Sequence, residues 1–144
     1  MKHHMRMTPL RTCLRAVLAG CLLIAACEMD AAPTAPTPVE VWVGGDDGLT
    51  QKLEDAMESA FRSSQDFTLS SGKKPGTLVV LIPTNVGWKK IGTRTKVLYT
   101  VEFRSQTLDG RKISDDKGSC WDGEYAKCAA HIVEDAKTAA RKIH

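Results

Sequence analysis

Polar and apolar residues alternate over Val39, Glu40, Val41, Trp42 and Val43, the pattern of a strand with one buried face. Gly44 to Gly48 (GGDDG) ends it, and Asp46 or Asp47 can cap a following helix. Leu49, Leu53, Met57, Ala60 and Phe61 recur at helical spacing and place that helix at about 49–63. Phe67-Thr68-Leu69 reads as a short strand, and Ser71 to Gly76 as a turn. Leu78 to Ile82 (LVVLI) is a continuous apolar run, suited to a central strand covered on much of both faces.

Thr84 to Lys96 has no apolar periodicity and reads as a polar, glycine-containing loop. Val97, Tyr99, Val101 and Phe103 then alternate with polar residues, predicting a long half-buried strand. Asp109-Gly110 is a two-residue hairpin signal, so Arg111 to Ser114 is expected to return as a short strand. Asp115 to Ser119 reads as loop. Asp122 is then expected to cap a last helix at about 123–142. Its apolar stripe is Tyr125, Ala129, Ile132, Ala136, Ala140 and Ile143, with Lys137, Arg141 and Lys142 suiting the C-terminal dipole.

The order is β-α-β-β-β-β-α. Two amphipathic helices beside a mostly antiparallel sheet of about five strands predict an α+β fold, a two-layer sandwich. The elements occupy residues 39–144, room for one domain with one core.

The preceding residues are of another kind. Residues 1–15 carry Lys2, Arg6, Arg11 and Arg15 and no acid. Ala16 to Ala26 is an unbroken run of 11 small and apolar residues. That is the length of a signal-peptide core and too short for a bilayer helix, which needs ~20 residues. Residues 1–26 are thus expected to be a signal peptide. Glu28 to Pro38 (EMDAAPTAPTP) can bury no core and reads as a tether.

Charge follows from this division. Without those four cations, the 20 basic residues fall to 16 against 17 acids, a net of −1. A near-neutral domain gives no electrostatic reason to expect a nucleic-acid partner.

Candidate chemistry is sparse. Beyond Cys27 only His131 and His144 remain as histidines, and GxSxG, HExxH and Gly-rich phosphate-loop motifs are missing. No cofactor and no enzymatic activity are expected. Gly44 to Gly48 precedes a helix, so an anion there is imaginable, but two aspartates oppose it; a plain capping turn is the simpler reading. Cys120, Cys128 and His131 could supply three ligands to Zn²⁺. Export and cysteine parity favour a Cys120–Cys128 disulfide instead. The segment 84–96 holds Trp88 beside Lys89 and Lys90, then Arg94 and Lys96. Either Trp88 folds back onto the sheet, or Trp88, Lys89, Lys90 and Arg94 form a partner-binding surface. The second reading is the one adopted.

Leu23-Ile24-Ala25-Ala26-Cys27 resembles the bacterial lipobox. The resemblance implies cleavage before Cys27, lipid on its thiol, and membrane anchoring in the cell envelope. Glu28, in place of the aspartate that commonly retains lipoproteins in the inner membrane, implies the outer membrane, facing the periplasm. With Cys13 and Cys21 removed and Cys27 lipidated, one cysteine pair is left. The helix LEDAMESAFRSS (53–64), the strand FTLSS (67–71) and the closing helix resemble the small α+β domains of envelope proteins. These include the penicillin-binding-protein activator LpoB, the TolB N-terminal domain and the CsgG-type curli lipoproteins. No functional motif transfers. The 11-residue tether reaches only ~34 Å even when extended, too short to cross the cell wall as the synthase activators do. The expected function is a non-enzymatic lipoprotein binding an envelope protein near the membrane, in an assembly or scaffold role. The alternative is an immunity- or inhibitor-type lipoprotein blocking a periplasmic toxin or hydrolase.

Overall fold

Alternation over residues 97–105 produces the strand around which the sheet is built. A computed structural model of the chain describes residues 35–72, 74–106 and 110–143. The expected signal peptide, Cys27, residues 28–34 of the tether and Asp109 lie outside the described residues. The elements in chain order are β1 (Thr37–Val43), α1 (Gly48–Ser63), β2 (Phe67–Leu69), β3 (Leu78–Ile82), β4 (Gly87–Ile91), β5 (Arg94–Ser105), β6 (Lys112–Trp121) and α2 (Tyr125–Ala140).

The α+β reading holds, with six strands in the sheet instead of about five. β1 pairs parallel with both β2 and β3, whereas β5 pairs antiparallel with β3, β4 and β6. β3 and β4 lie end to end along one edge of β5. β3 takes Glu102 to Ser105 and β4 takes Arg94 to Leu98. β6 runs along the opposite edge, from Lys96 to Arg104.

Two expected loops are strands. Residues 115–119 lie inside β6, which is ten residues long. Most of 84–96 forms β4 and the start of β5, joined by Gly92 and Thr93. Neither segment shows apolar alternation, because neither faces the core continuously. Their strand geometry comes from pairing with β5. Gly92 at φ 60° supplies the left-handed backbone that a tight two-residue turn needs. β1 also starts at Thr37, two residues inside the expected tether.

One face of the sheet is covered by both helices. Val39, Leu78, Val80, Ile82, Val97, Val101 and Phe103 are buried there against Leu53, Met57 and Phe61 of α1 and Ala129, Ile132 and Ala136 of α2. Most of the expected stripes are buried. Leu49 and Ala60 of α1 are only partly so, and Ile143 lies partly buried beyond the end of α2 at Ala140. Thr50 joins the buried face of α1, and Cys128, Val133 and Ala139 join that of α2. Alanines let α2 lie close to the sheet.

α1 begins as expected at Asp47, whose carboxylate accepts from the Leu49 and Thr50 amides at 2.8 and 2.9 Å. α2 does not begin at Asp122. Its N-cap position is Glu124, with no side-chain cap, and Asp122 instead accepts from the Tyr125 hydroxyl at 2.9 Å. Its start is held by another bond. Cys120 of β6 and Cys128 of α2 form a disulfide, with Cα atoms 5.7 Å apart.

Closing a loop of eight residues stabilises the native state by ~2.5 kcal/mol in the chain-entropy account. Reduction under native conditions should therefore cost about that much in urea melts of the full protein. A change below ~0.5 kcal/mol would show that the bridge does not hold α2 down.

Candidate partner-binding surface

The site starts from a break in the sheet. At Pro83 to Val86 the chain leaves the edge of β5, and β4 resumes beyond it. Asn85 and the start of α1 fix this break. Asn85 Oδ1 accepts from the Asp46 amide at 2.8 Å and the Asp47 amide at 3.3 Å. The buried Thr50 hydroxyl donates to Asp47 at 3.1 Å and accepts from the Val86 amide at 3.0 Å. The GGDDG turn is therefore a capping and docking element. Its Asp46 and Asp47 amides point to Asn85, which excludes the anion reading.

Beyond the break, the β4–β5 hairpin runs past the helices. Every residue of β4 is exposed. Trp88 is 63% exposed and Ile91 46%, so Trp88 does not fold back onto the sheet. The cations Lys89, Lys90, Arg94 and Lys96 lie on the hairpin, and residues 87–98 contain no acid.

Pairing sorts these side chains between the two faces. Lys89 lies directly opposite Lys96, and Ile91 opposite Arg94. Two like charges facing each other across a ladder destabilise it unless a negative group approaches. Leu98, 38% exposed, continues this face toward an open groove of about 550 Å³. Thr84, Asn85, Gly87, Leu98, Thr100 and Lys117 line it.

The expected site residues thus divide. Trp88, Lys89 and Lys90 share an exposed strand. Arg94 is engaged elsewhere: it bonds Glu124 at 2.9 Å and its guanidinium lies 4.2 Å from the centre of the Trp121 ring. That contact anchors the hairpin to the start of α2. Reading the sequence alone passed over Ile91 and Leu98 and left Lys96 outside the binding set, since only register places these residues on the face of Lys89. It also missed Trp42, 41% exposed on the sheet face that carries no helix. The Zn²⁺ reading of Cys120, Cys128 and His131 fails, because the two sulfurs are bonded to each other.

Of the two tyrosines of the chain, Tyr99 borders the groove and Tyr125 opens α2. Tyr99 is buried over Gly118, where any Cβ would collide with its ring. Burial, aided by Asp116 and Asp135, pushes the Tyr99 phenol up to about 12. Burial and the bond to Asp122 also raise Tyr125 well above its ordinary value.

No family model matches the sequence, and no curated protein is similar to it. The fold is shared with solved structures. A DUF330 protein of Xanthomonas campestris superposes with TM-score 0.54 at 9% identity, over 78% of this chain and 91% of that one. The PelC dodecamer protein of Paraburkholderia phytofirmans gives TM-score 0.48 at 10% identity, over 69% and 88%. A minor lipoprotein of Acinetobacter baumannii gives 0.41 at 17% identity, over 77% and 92%. At 9% identity the likeness to the DUF330 protein is one of fold alone.

The tyrosines give a pH signature. The folded state keeps phenolic protons that the unfolded chain releases near pH 10. Their contribution to stability is complete below pH 10 and is lost as pH rises through about 12. In a spectrophotometric titration, native protein should develop almost no phenolate absorbance at pH 10, while in guanidinium both tyrosines are about half ionised there. Half the signal at pH 10 in native protein would mean that one ring is solvated.

Proposed function

We propose that this protein is a non-enzymatic, membrane-anchored lipoprotein that uses its β4–β5 hairpin to hold an acidic protein partner in the cell envelope. The observation that carries the reading is the hairpin itself. Gly87 to Arg94 are all exposed and carry Trp88, Ile91, Lys89 and Lys90, with the half-buried Lys96 opposite Lys89. A monomeric domain gains nothing in stability from an exposed tryptophan beside unpaired lysines. An interface does, since tryptophan combined with positive charge is typical of binding hot spots.

The anchor is part of the same proposal. An apolar run ending in Ile24-Ala25-Ala26-Cys27, followed by a proline-rich tether, supports lipidation at Cys27 and a domain held within ~34 Å of the membrane. Glu28 supports the outer membrane, facing the periplasm. Among the described residues no helix is long and apolar enough to cross a membrane, so attachment rests on the N-terminal lipid. A disulfide suits an oxidising compartment.

Two experiments test the two halves separately. Cys27→Ser should release the protein into the soluble periplasmic fraction or leave an unprocessed precursor. Unchanged processing and membrane fractionation would sink the lipoprotein reading.

For the surface, Trp88→Ala combined with Lys89→Glu and Lys90→Glu should weaken crosslinking to the partner in intact cells. The loss expected for a buried interface tryptophan is ~2 kcal/mol or more of binding. Stability in urea should move by ~0.5 kcal/mol or less, as for exposed positions. A large loss of stability, or undiminished crosslinking, would remove the hairpin from the binding surface.

A further inference from the structure

On the helix side of the sheet, next along β6 and α2 from the disulfide, three side chains converge. Asp116 comes from β6, while His131 and Asp135 lie one turn apart on α2. His131 Nδ1 is 3.1 Å from Asp135 Oδ2 and 3.6 Å from Asp116 Oδ2. The three ligand atoms all lie within 4.8 Å of one another. We propose that Asp116, His131 and Asp135 form a binding site for a divalent transition-metal ion of the zinc class, which clamps α2 to the edge strand β6.

Hydrogen-bond counting separates this set from an ordinary surface ion pair. Both Oδ2 atoms are shielded from water and accept no hydrogen bond. Nδ1 carries at most one proton, which can satisfy only one of the two carboxylates. With both carboxylates ionised, a shielded, unpaired anionic oxygen remains in either tautomer. A cation at the common point satisfies all three donors together.

The spacing suits such an ion. Zn–O and Zn–N bonds near 2.1 Å place tetrahedral ligands roughly 3.4 Å apart. The two histidine–carboxylate separations fall on either side of that value. One imidazole with two carboxylates is a donor set for zinc and its neighbours in the first transition row. It is too small for Ca²⁺, which takes six to eight oxygens.

The surroundings are built to match. Gly118 admits the Tyr99 ring, and the Tyr99 hydroxyl stands 3.5 Å from His131 Nδ1. Three protein ligands leave a further coordination position open, bordered by this neutral phenol. His131 is solvent-accessible, so an ion has a way in. Both cysteines that could compete within the domain are held in the disulfide.

The test uses the full, processed protein with its disulfide intact, stripped with EDTA and returned to buffer. Addition of Zn²⁺ should raise the melting temperature, and a single equivalent should survive gel filtration. Co²⁺ should give visible d–d absorption that Zn²⁺ displaces. Asp116→Asn with Asp135→Asn keeps side-chain shape and removes both anionic ligands. It should weaken Zn²⁺ binding by more than the roughly 10- to 100-fold that loss of an outer-shell partner costs. His131→Gln should do the same. Far-UV circular dichroism and non-reducing gels check that each variant is folded and oxidised. Tyr99→Phe, which leaves all three ligands, should retain the metal.

No uptake of Zn²⁺ or Co²⁺ by the wild type, with His131 titrating as a simple imidazolium by NMR, would show that the cluster holds only a proton. Equal uptake by wild type and the Asp116→Asn/Asp135→Asn variant would place the metal elsewhere. Either result overturns the proposal.

Discussion

Strand β5 is hydrogen-bonded along both edges, and its inward residues Val97, Val101 and Phe103 are among the most buried in the domain. A strand so placed dictates what its neighbours can be. β6 pairs along most of its length on one edge. The other edge is shared, with β3 at one end and β4 at the other. The two-residue excess at the break forces the chain out at Pro83 to Val86, where Asn85 and Thr50 tie it to the cap of α1. The pairing that completes the core also carries β4 beyond the reach of the helices. Exposure of Trp88, on the face of Val97, follows from β5 being longer than the helix layer that covers it, whereas Ile91 lies on the face that carries no helix.

The uncovered face of the sheet is managed by charge. Glu102 accepts two hydrogen bonds from Arg104, at 2.9 and 2.6 Å, and Lys112 bridges Glu102 and Asp115. The Arg104 guanidinium holds the Glu102 carboxyl below its usual range. Val79, whose cross-strand neighbours on that face are Glu40 and Arg104, is buried even though no helix lies above it. This end of the sheet therefore offers paired charges. The hairpin end offers Lys89, Lys90 and Lys96 beside exposed apolar side chains, with only Arg94 held by an acid, so it is the end suited to an acidic partner.

Attachment of α2 depends on side-chain chemistry more than on capping. Its first turn has no side-chain cap, and two sets of side chains join it to β6: the Cys120–Cys128 bond, then Asp116 with His131 and Asp135. Tyr125 adds its hydroxyl bond to Asp122, whose carboxylate also meets Lys52 of α1 at 3.5 Å. These contacts draw the two helices and the edge strand together at one end, next to the hairpin root where Arg94 meets Glu124.

The sequence by itself determined every element whose residues contact the core at a regular period. Leu53, Met57 and Phe61 defined α1, LVVLI defined β3, and Val97 to Phe103 defined most of β5. Cysteine parity, read with an expected signal peptide, pointed to the bond that the structure contains. Tertiary structure alone decided the rest. β4 and the middle of β6 carry Lys, Gly, Ser and Asp in no apolar rhythm, because their strand conformation is imposed by backbone pairing with β5. Polar contacts were equally hidden. Asp122 has the composition of a cap but meets a tyrosine, and Asp116 reaches His131 across 15 positions of chain only because β6 and α2 fold back on each other. Local periodicity records which side chains leave water. It does not record which backbone edge a strand will find, or which polar atoms meet once it has.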